Sequence, residues 1–350
     1  METKKRVGTL PEITEYDNGN IVTVWLDDNN EINKTVHDGS FSPSYQPDKN
    51  YLKLTATAAN SSVRISSELT TKPNIEVSED NGRTWTECTF TNNKTKTFNL
   101  SSIGYFILLR GDNENGFASV DNQNLDYKYT TFEMTGGIAA SGDLNTLVDK
   151  NGGEDVVLPE YCFDRLFKDC TSLVQAPSLP SKSLSRGCYT CLFYGCTNLE
   201  QAPALPATSL AEYCYDSMFY GCESIVDAPT LSATTMRAAC YVSMFTNCTS
   251  LEQPPALPST NLATECYVAM FSGCTSLEKA PNLLATELAN GCYRNIFERC
   301  TFDMSDNGET FNFDFGVTPP VTLDVTLSSY YDIANWMGNT NGFTQPVEIE

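Results

Sequence analysis

Apolar and polar positions between residues 158 and 300 follow one pattern that recurs six times at an interval of 26 residues. Each copy has two cysteines eight residues apart, an aromatic residue directly after the first cysteine, and a phenylalanine four residues further on. The cysteines and phenylalanines of this repeat core are Cys162, Phe167, Cys170, Cys188, Phe193, Cys196, Cys214, Phe219, Cys222, Cys240, Phe245, Cys248, Cys266, Phe271, Cys274, Cys292, Phe297 and Cys300. Counted from the first cysteine, positions 0, 1, 4, 5 and 8 share one face of an α-helix, so the pattern predicts a short amphipathic helix in each copy.

A second apolar segment follows in each of the first five copies. Leu173 and Pro177 show its form: an apolar residue, three further residues, and a proline, which lacks the N–H that would continue a strand ladder. The segment therefore predicts a short strand. A unit this small cannot bury its own apolar stripe, so we expect the copies to stack. Residues 159–303 are thus predicted to form an α/β solenoid of the leucine-rich-repeat type with six repeats.

The repeats also carry a family resemblance. Segments such as LPATSLAEYCYDSMFYGC and LPSTNLATECYVAMFSGCTSLEKAPNL resemble the BspA-like leucine-rich repeats found in surface proteins of gut and oral anaerobes. The resemblance covers residues 158 to about 300. It implies a surface-displayed binding scaffold, and it implies no particular ligand.

Residues 41–135 alternate between apolar and polar positions at a period of two. Runs such as YLKLTATAA, SSVRISS and GYFILLRG, separated by Asn, Asp and Gly turns, predict an all-β, sandwich-like domain. Within it, SEDNGRTW matches the Asp-box turn of sialidase-like propellers. We expect Asp80 to cap this turn, Gly82 to adopt a positive φ and Trp85 to hold the hairpin on the sheet. A single box favours a structural hairpin, and a glycan-active accessory module is a remote alternative.

Three further segments complete the predicted domain organisation. Residues 1–40 contain one strand-like run, IVTVWLDD, and too few apolar residues for a core, which predicts a docking or attachment segment. Residues 136–158 are expected to form a linker and a helix that caps the first repeat, and residues 304–350 a C-terminal cap. The region after Cys300 also resembles an EF-hand loop without its exit helix, so calcium is a weak alternative to a polar turn. The candidate ligands are Asp303, Ser305, Asn307 and Asp314.

Net charge narrows the classes of partner. The 350 residues carry a formal charge of −22, which argues against nucleic acid or an anionic membrane as the main partner. No run approaches the ~20 apolar residues of a membrane span. The first residues lack the apolar core of a secretory signal, so no such signal is expected here.

Fourteen cysteines would normally indicate an oxidised, secreted protein. Two cysteines eight residues apart on a helix are separated by about 12 Å, which is too far for a disulfide. Buried free thiols are therefore expected, with disulfides or metal as alternatives. Zinc is disfavoured because His37 is the single histidine, and Cys188 with Cys191 forms only a weak redox motif. Cys88 is expected in the core.

The inventory of side chains disfavours catalysis. With one histidine, no Ser/His/Asp or Cys/His set is visible, so we expect no enzymatic activity and no cofactor. The candidate binding face is the outward side of the predicted strands, where few aromatic residues lie; hydrogen-bonded or cationic ligands are therefore favoured over stacked sugars. The residues of this face are Glu200, Gln201, Asp227, Glu252, Gln253 and Glu278.

Two non-enzymatic functions compete. The first is a phage virion protein, structural, decorating or part of a fibre, that displays the repeats for attachment at a host surface. Its partners would be other virion proteins, bound through the N-terminal segment, and a surface ligand of the host. The missing secretory signal and the predicted free thiols favour this function and a place on the virion surface. The alternative is an adhesin on the bacterial cell surface, and either protein could be a homo-oligomer.

Overall fold

The computed structural model describes residues 50–90, 94–281, 283–285 and 289–300, together with the backbone of three strands between residues 12 and 37. The chain divides into two compact units, Met1–Asp48 and Lys49–Glu350.

The N-terminal unit contains a three-stranded antiparallel sheet in the order β1-β2-β3. Its strands are β1 (Glu12–Glu15), β2 (Ile21–Leu26) and β3 (Ile32–His37). The run predicted as a strand is the central one, β2. The two outer strands, EITE and INKTVH, carry few apolar residues and gave no clear signal in the sequence.

In the described part of the larger unit, ten strands form two sheets. One sheet has four strands in the order β10-β11-β5-β8, and the other has six in the order β13-β12-β4-β9-β6-β7. The strands are β4 (Leu52–Ala56), β5 (Ser61–Ser67), β6 (Ile75–Ser78), β7 (Thr86–Glu87), β8 (Thr95–Leu100), β9 (Phe106–Gly111), β10 (Ala118–Asp121), β11 (Asp126–Thr135), β12 (Ile138–Ser141) and β13 (Leu173–Gln175). Alternate residues of β4 and β5 are buried, as a period of two requires when one face of a sheet covers a core.

The segment expected to be a linker and a capping helix is part of the larger sheet instead. Its strand β12 pairs antiparallel with β4 on one side and parallel with β13 on the other. A single 3₁₀ turn, Leu144–Leu147, follows, and the side chain of Asp143 caps it by accepting a hydrogen bond from the amide of Asn145 at 2.8 Å.

The predicted α/β solenoid is wrong, because the described residues of the repeats contain no α-helix. Where a helix was expected, the chain forms successive turns, and every fourth residue has a left-handed backbone. In the first copy these residues are Tyr161, Arg165 and Asp169, with φ of 53°, 60° and 59°. A right-handed helix cannot include such residues. Apolar positions 0, 1, 4, 5 and 8 fit a turn of four residues as well as a helical turn of 3.6, and nine residues are too few to separate the two periods.

Backbone hydrogen bonds join each copy to the next. The amides of Phe163 and Arg165 donate to the carbonyls of Cys188 and Thr190 at 2.9 and 3.0 Å, whereas the intervening amide of Asp164 donates to the carbonyl of Tyr161 at 3.1 Å in its own copy. The same alternation recurs along the repeats. Among the described residues, the predicted strand segment is an extended strand only in β13, and in the third and fourth copies it is reduced to a single parallel bridge of Asp227 with Gln253.

The core of the repeats consists of two ladders of aromatic rings. Within each ladder, rings of successive copies are stacked with centroids 5.5–6.0 Å apart. Both ladders continue into the region of strands β4 to β12, which we call the strand region. There the ring centroid of Phe117 lies 5.8 Å from that of Phe163, and the ring centroid of Phe132 lies 5.1 Å from that of Phe167. The strand region therefore supplies the first layer of the stack, and it brings β10 and β11 next to the first three repeats.

Candidate functional site

A pocket of about 450 Å³ lies where β10 and β11 meet the first three repeats. We call it the tyrosine pocket. Its lining residues are Val120, Asn122, Tyr127, Tyr129, Tyr161, Asp164, Arg165, Arg186, Thr190, Tyr213 and Asp216. The pocket combines aromatic rings with two carboxylates and two guanidinium groups, which is the composition of a binding site with precisely placed polar groups.

Asp164 is the buried carboxylate of this pocket, with 3% of its surface exposed. Its Oδ2 lies 3.5 Å from Nη1 of Arg165, whereas its Oδ1 is buried without a hydrogen-bond partner. Burial raises the pKa of Asp164 to about 7, against the opposing effect of the Arg165 charge. Burial therefore shifts this carboxyl group towards its protonated form.

Asp216 is the second carboxylate. Its Oδ1 accepts a hydrogen bond from the hydroxyl of Ser217 at 2.7 Å, and burial raises its pKa above the ordinary value. The charge of Asp216 also contributes to the raised pKa of Asp164. The charge of Asp216 thus acts on Asp164 within one pocket.

The arginines hold the tyrosine rings in place. The guanidinium of Arg165 lies 4.4 Å from the ring centroid of Tyr129, a cation–π distance. Nε of Arg186 donates to the hydroxyl of Tyr161 at 3.1 Å, and Nη1 of Arg186 pairs with Glu212 at 3.2 Å. These contacts fix the walls of the pocket before any ligand enters.

The sequence contained a signal for this pocket that the prediction missed. Two residues after the first cysteine, the first three copies carry Asp164, Thr190 and Asp216, whereas the fourth and fifth carry Val242 and Val268. Likewise, the residue before the first cysteine is tyrosine in the first and third copies, Tyr161 and Tyr213, and Ala239 in the fourth. Aspartate at the first of these positions and tyrosine at the second therefore occur only in copies that adjoin the strand region, whereas the fifth and sixth copies carry Glu265 and Arg294 there.

The predicted binding face lies elsewhere. Backbone amides of Glu200, Glu252 and Glu278 donate to the carbonyls of Val174, Val226 and Glu252 at 3.3, 3.0 and 3.0 Å, so this position recurs as one column across neighbouring copies. Asp227 forms a parallel bridge with Gln253. The side-chain Nε2 of Gln253 donates a hydrogen bond to Oε2 of Glu278. We call the predicted set of six, Glu200, Gln201, Asp227, Glu252, Gln253 and Glu278, the acidic column. All six are exposed except Gln253, which is half-buried, and none of them lines the tyrosine pocket.

The Asp-box turn has the local contacts that its sequence predicts. Oδ1 of Asp80 accepts the amide N–H of Thr84 at 2.9 Å, and its Oδ2 accepts the Thr84 hydroxyl at 2.7 Å. Gly82 has a φ of 86°, and the ring of Trp85 lies 4.8 Å from that of Tyr51. The hydrogen bond from the Thr84 side chain is the main cause that lowers the pKa of Asp80 to about 2. These predictions are confirmed, and the turn is a structural hairpin.

All fourteen cysteines are free thiols, and thirteen of them are buried. The second cysteine of a copy donates its S–H to a carbonyl of the preceding layer, as in Cys196 Sγ to Phe167 O at 3.1 Å and Cys170 Sγ to Phe132 O at 3.0 Å. Cys191, which forms the weak redox motif with Cys188, is buried as well. Burial raises the pKa of Cys191 to about 12 and that of Cys88 to about 11, which disfavours redox chemistry at either thiol.

Within the described ranges, no group of three or more His, Cys, Asp or Glu side chains could hold a metal ion. The calcium candidates Asp303, Ser305, Asn307 and Asp314 lie outside those ranges. Among the residues described, no helix has the length and apolar character needed to cross a membrane.

Comparison with protein-family models, with curated proteins and with solved structures finds no match to this chain.

Proposed function

We propose that this chain is a non-enzymatic attachment protein of a phage virion, which displays its repeats to the surface of a host cell. The observation that carries the proposal is the state of the cysteines. Fourteen thiols are free, and those of the repeats serve as small apolar groups and as S–H donors between layers.

A chain with fourteen free cysteines is expected to fold in a reducing compartment. Before the repeats stack, all of these thiols are accessible, and in an oxidising compartment they would be open to mispairing. Virion proteins of phages fold in the host cytosol, where thiols stay reduced. After folding, burial raises the pKa of the repeat thiols and leaves them inert on release.

The N-terminal unit supports a docking role. It is a small antiparallel sheet in a compact unit of its own, Met1–Asp48. A three-stranded sheet of this size has little core, so binding to another virion protein would add the buried surface that it lacks.

A second candidate is an adhesin of the bacterial cell surface, and the resemblance of the repeats to BspA-like segments favours it. Both candidates make the repeats a recognition module, and they differ in what carries the chain. The location of the full-length protein therefore distinguishes them.

The test is quantitative mass spectrometry of purified virions beside fractionated host envelopes, with an abundant envelope protein as the marker of contamination. We expect the chain in virions at a fixed ratio to the major capsid protein. Recovery only from the envelope fraction would replace the virion function with the adhesin. Absence from both fractions would contradict the attachment function altogether.

A further inference from the structure

The buried carboxylate of the tyrosine pocket points to a ligand. Oδ1 of Asp164 is buried without a hydrogen-bond partner in a side chain that lines the pocket. Buried acceptors in folded proteins are nearly always satisfied, because an unpaired one loses its hydration without replacement. We propose that the tyrosine pocket binds an uncharged saccharide, and that Asp164 accepts a hydrogen bond from a sugar hydroxyl. This proposal rests on the attachment function and names the class of ligand that the protein would recognise.

The charges of the pocket favour an uncharged ligand. A cation that approached Asp164 would also meet the guanidinium of Arg165, which lies 3.5 Å from Oδ2 of Asp164. An anion would meet both Asp164 and Asp216, while Arg186 is already paired with Glu212. Sugar hydroxyls donate to carboxylates and accept from guanidinium groups, so they match both kinds of group at once.

The aromatic residues supply the apolar contact that a sugar ring needs. Tyr127 is 39% exposed, and Tyr129, Tyr161 and Tyr213 are half-buried along the same lining. The C–H faces of a pyranose ring pack against such rings. Because Arg165 and Arg186 already hold Tyr129 and Tyr161, little side-chain ordering is left to oppose binding.

A larger groove of about 990 Å³ on the strand region has a buried polar side chain whose hydrogen bonds are made within the protein. Its buried polar side chain, Asn113, makes three hydrogen bonds: Oδ1 accepts from the amide of Asn74 at 2.7 Å, and Nδ2 donates to the carbonyls of Asn74 and Leu147 at 2.8 and 2.7 Å. Both polar atoms of the Asn113 side chain therefore have hydrogen-bond partners within the protein. The unmet acceptor of Asp164 is what distinguishes the tyrosine pocket.

The repeats offer test substitutions that the fold already accepts. Asp216→Val and Tyr213→Ala convert the third copy to the residues of the fourth, Val242 and Ala239. Asp164→Val is a second, independent variant with the same precedent. Glu200→Val is the matched control, because Val174 and Val226 occupy the same position in neighbouring copies and Glu200 does not line the pocket.

The experiment exposes the purified full-length chain to an array of neutral oligosaccharides and then titrates the strongest binder by calorimetry. We expect the wild-type chain to bind. The Asp216→Val/Tyr213→Ala variant and the Asp164→Val variant should each lose at least about tenfold in affinity, and Glu200→Val should stay within about twofold. Thermal unfolding of each variant shows whether it is folded.

Two results would overturn the saccharide site: a wild-type chain that binds no neutral oligosaccharide, or folded pocket variants that bind as well as the wild type. The saccharide site and the attachment function are tested by different measurements, oligosaccharide binding and the location of the chain, so each can fail without the other. A chain found in virions or envelopes that binds no sugar loses only the proposed ligand class.

Discussion

Asp164 couples the stability of the protein to pH in an unusual direction. Its pKa is about 7 in the folded chain, mainly because of burial, and about 4 in an unfolded one. The unfolded state therefore releases its proton first, and folding free energy is lost as pH rises from about 4 to about 7.

Replacing Asp164 with Asn should remove this loss. Relative to the wild type, the Asp164→Asn variant should gain on the order of 4 kcal/mol between pH 4 and pH 8. Urea unfolding at pH 4, 6 and 8 measures the difference. A difference between the two chains that does not change with pH would show that Asp164 ionises normally.

Asp80 has the opposite dependence. Hydrogen bonds led by that of the Thr84 side chain lower its pKa to about 2, so its contribution is present above about pH 4 and is lost as pH falls through 2. The Asp80→Ala variant should melt below the wild type at pH 7 and approach it at pH 2. Melting curves at pH 7, 4 and 2 test this, and Thr84→Val, which removes the same side-chain bond, should show a smaller loss with the same trend. An Asp80→Ala deficit that persists at pH 2 would assign the effect to packing.

The second cysteine of each copy adds a side-chain hydrogen bond to the backbone bonds that hold the turns of the repeats. Its thiol fits the small space between layers and donates to a carbonyl of the preceding layer, as Cys248 does to Phe219 O at 3.1 Å. The first cysteine of the third copy, Cys214, makes a longer contact of 4.0 Å to Cys240 O of the following copy.

Cys248→Ala should therefore destabilise the chain more than Cys214→Ala does. Both substitutions remove the same atom from a fully buried site, but only the first removes a close S–H hydrogen bond, at a further cost of about 1 kcal/mol. The Phe219 carbonyl keeps its hydrogen bond from the amide of Cys222 at 3.0 Å, so it is not left unpaired. Urea unfolding of the two variants under reducing conditions gives the difference. Equal losses would mean that the thiols act by packing alone.

These turns also show where sequence reasoning stopped. The 26-residue period, the aromatic and cysteine core positions and the runs of alternating residues could all be read from the sequence, since burial leaves a direct trace in composition. The backbone conformation could not, because Tyr161, Arg165 and Asp169 adopt positive φ without being glycine. Hydrogen bonds to the next copy, which no local pattern encodes, select that conformation over a helix.

In a molecule with a formal charge of −22, the acidic column places four carboxylates on one surface, those of Glu200, Asp227, Glu252 and Glu278. Such a surface attracts a cationic partner at low salt and contributes little to folding, because its side chains remain in water.

Changing Glu200, Glu252 and Glu278 together to Lys should therefore weaken attachment of the protein to its cognate surface and leave thermal stability nearly unchanged. Sedimentation with host cells at low and high salt measures attachment, and binding of a soluble neutral oligosaccharide to the same variant should be retained. Unchanged attachment at low salt would remove the acidic column from the contact surface.

The sequence alone determined the repeat period, the residues that fill the core, the free state expected of the thiols and the hydrogen bonds of the Asp-box turn. Each of these depends on side-chain chemistry or on contacts within a few residues. The tertiary structure alone decided that the repeats form turns rather than helices, that β12 joins the larger sheet, and that Tyr129 meets Asp164 and Tyr213 in one pocket. These features depend on contacts between segments far apart in the chain, where the partner of each residue is set by the packing of whole elements.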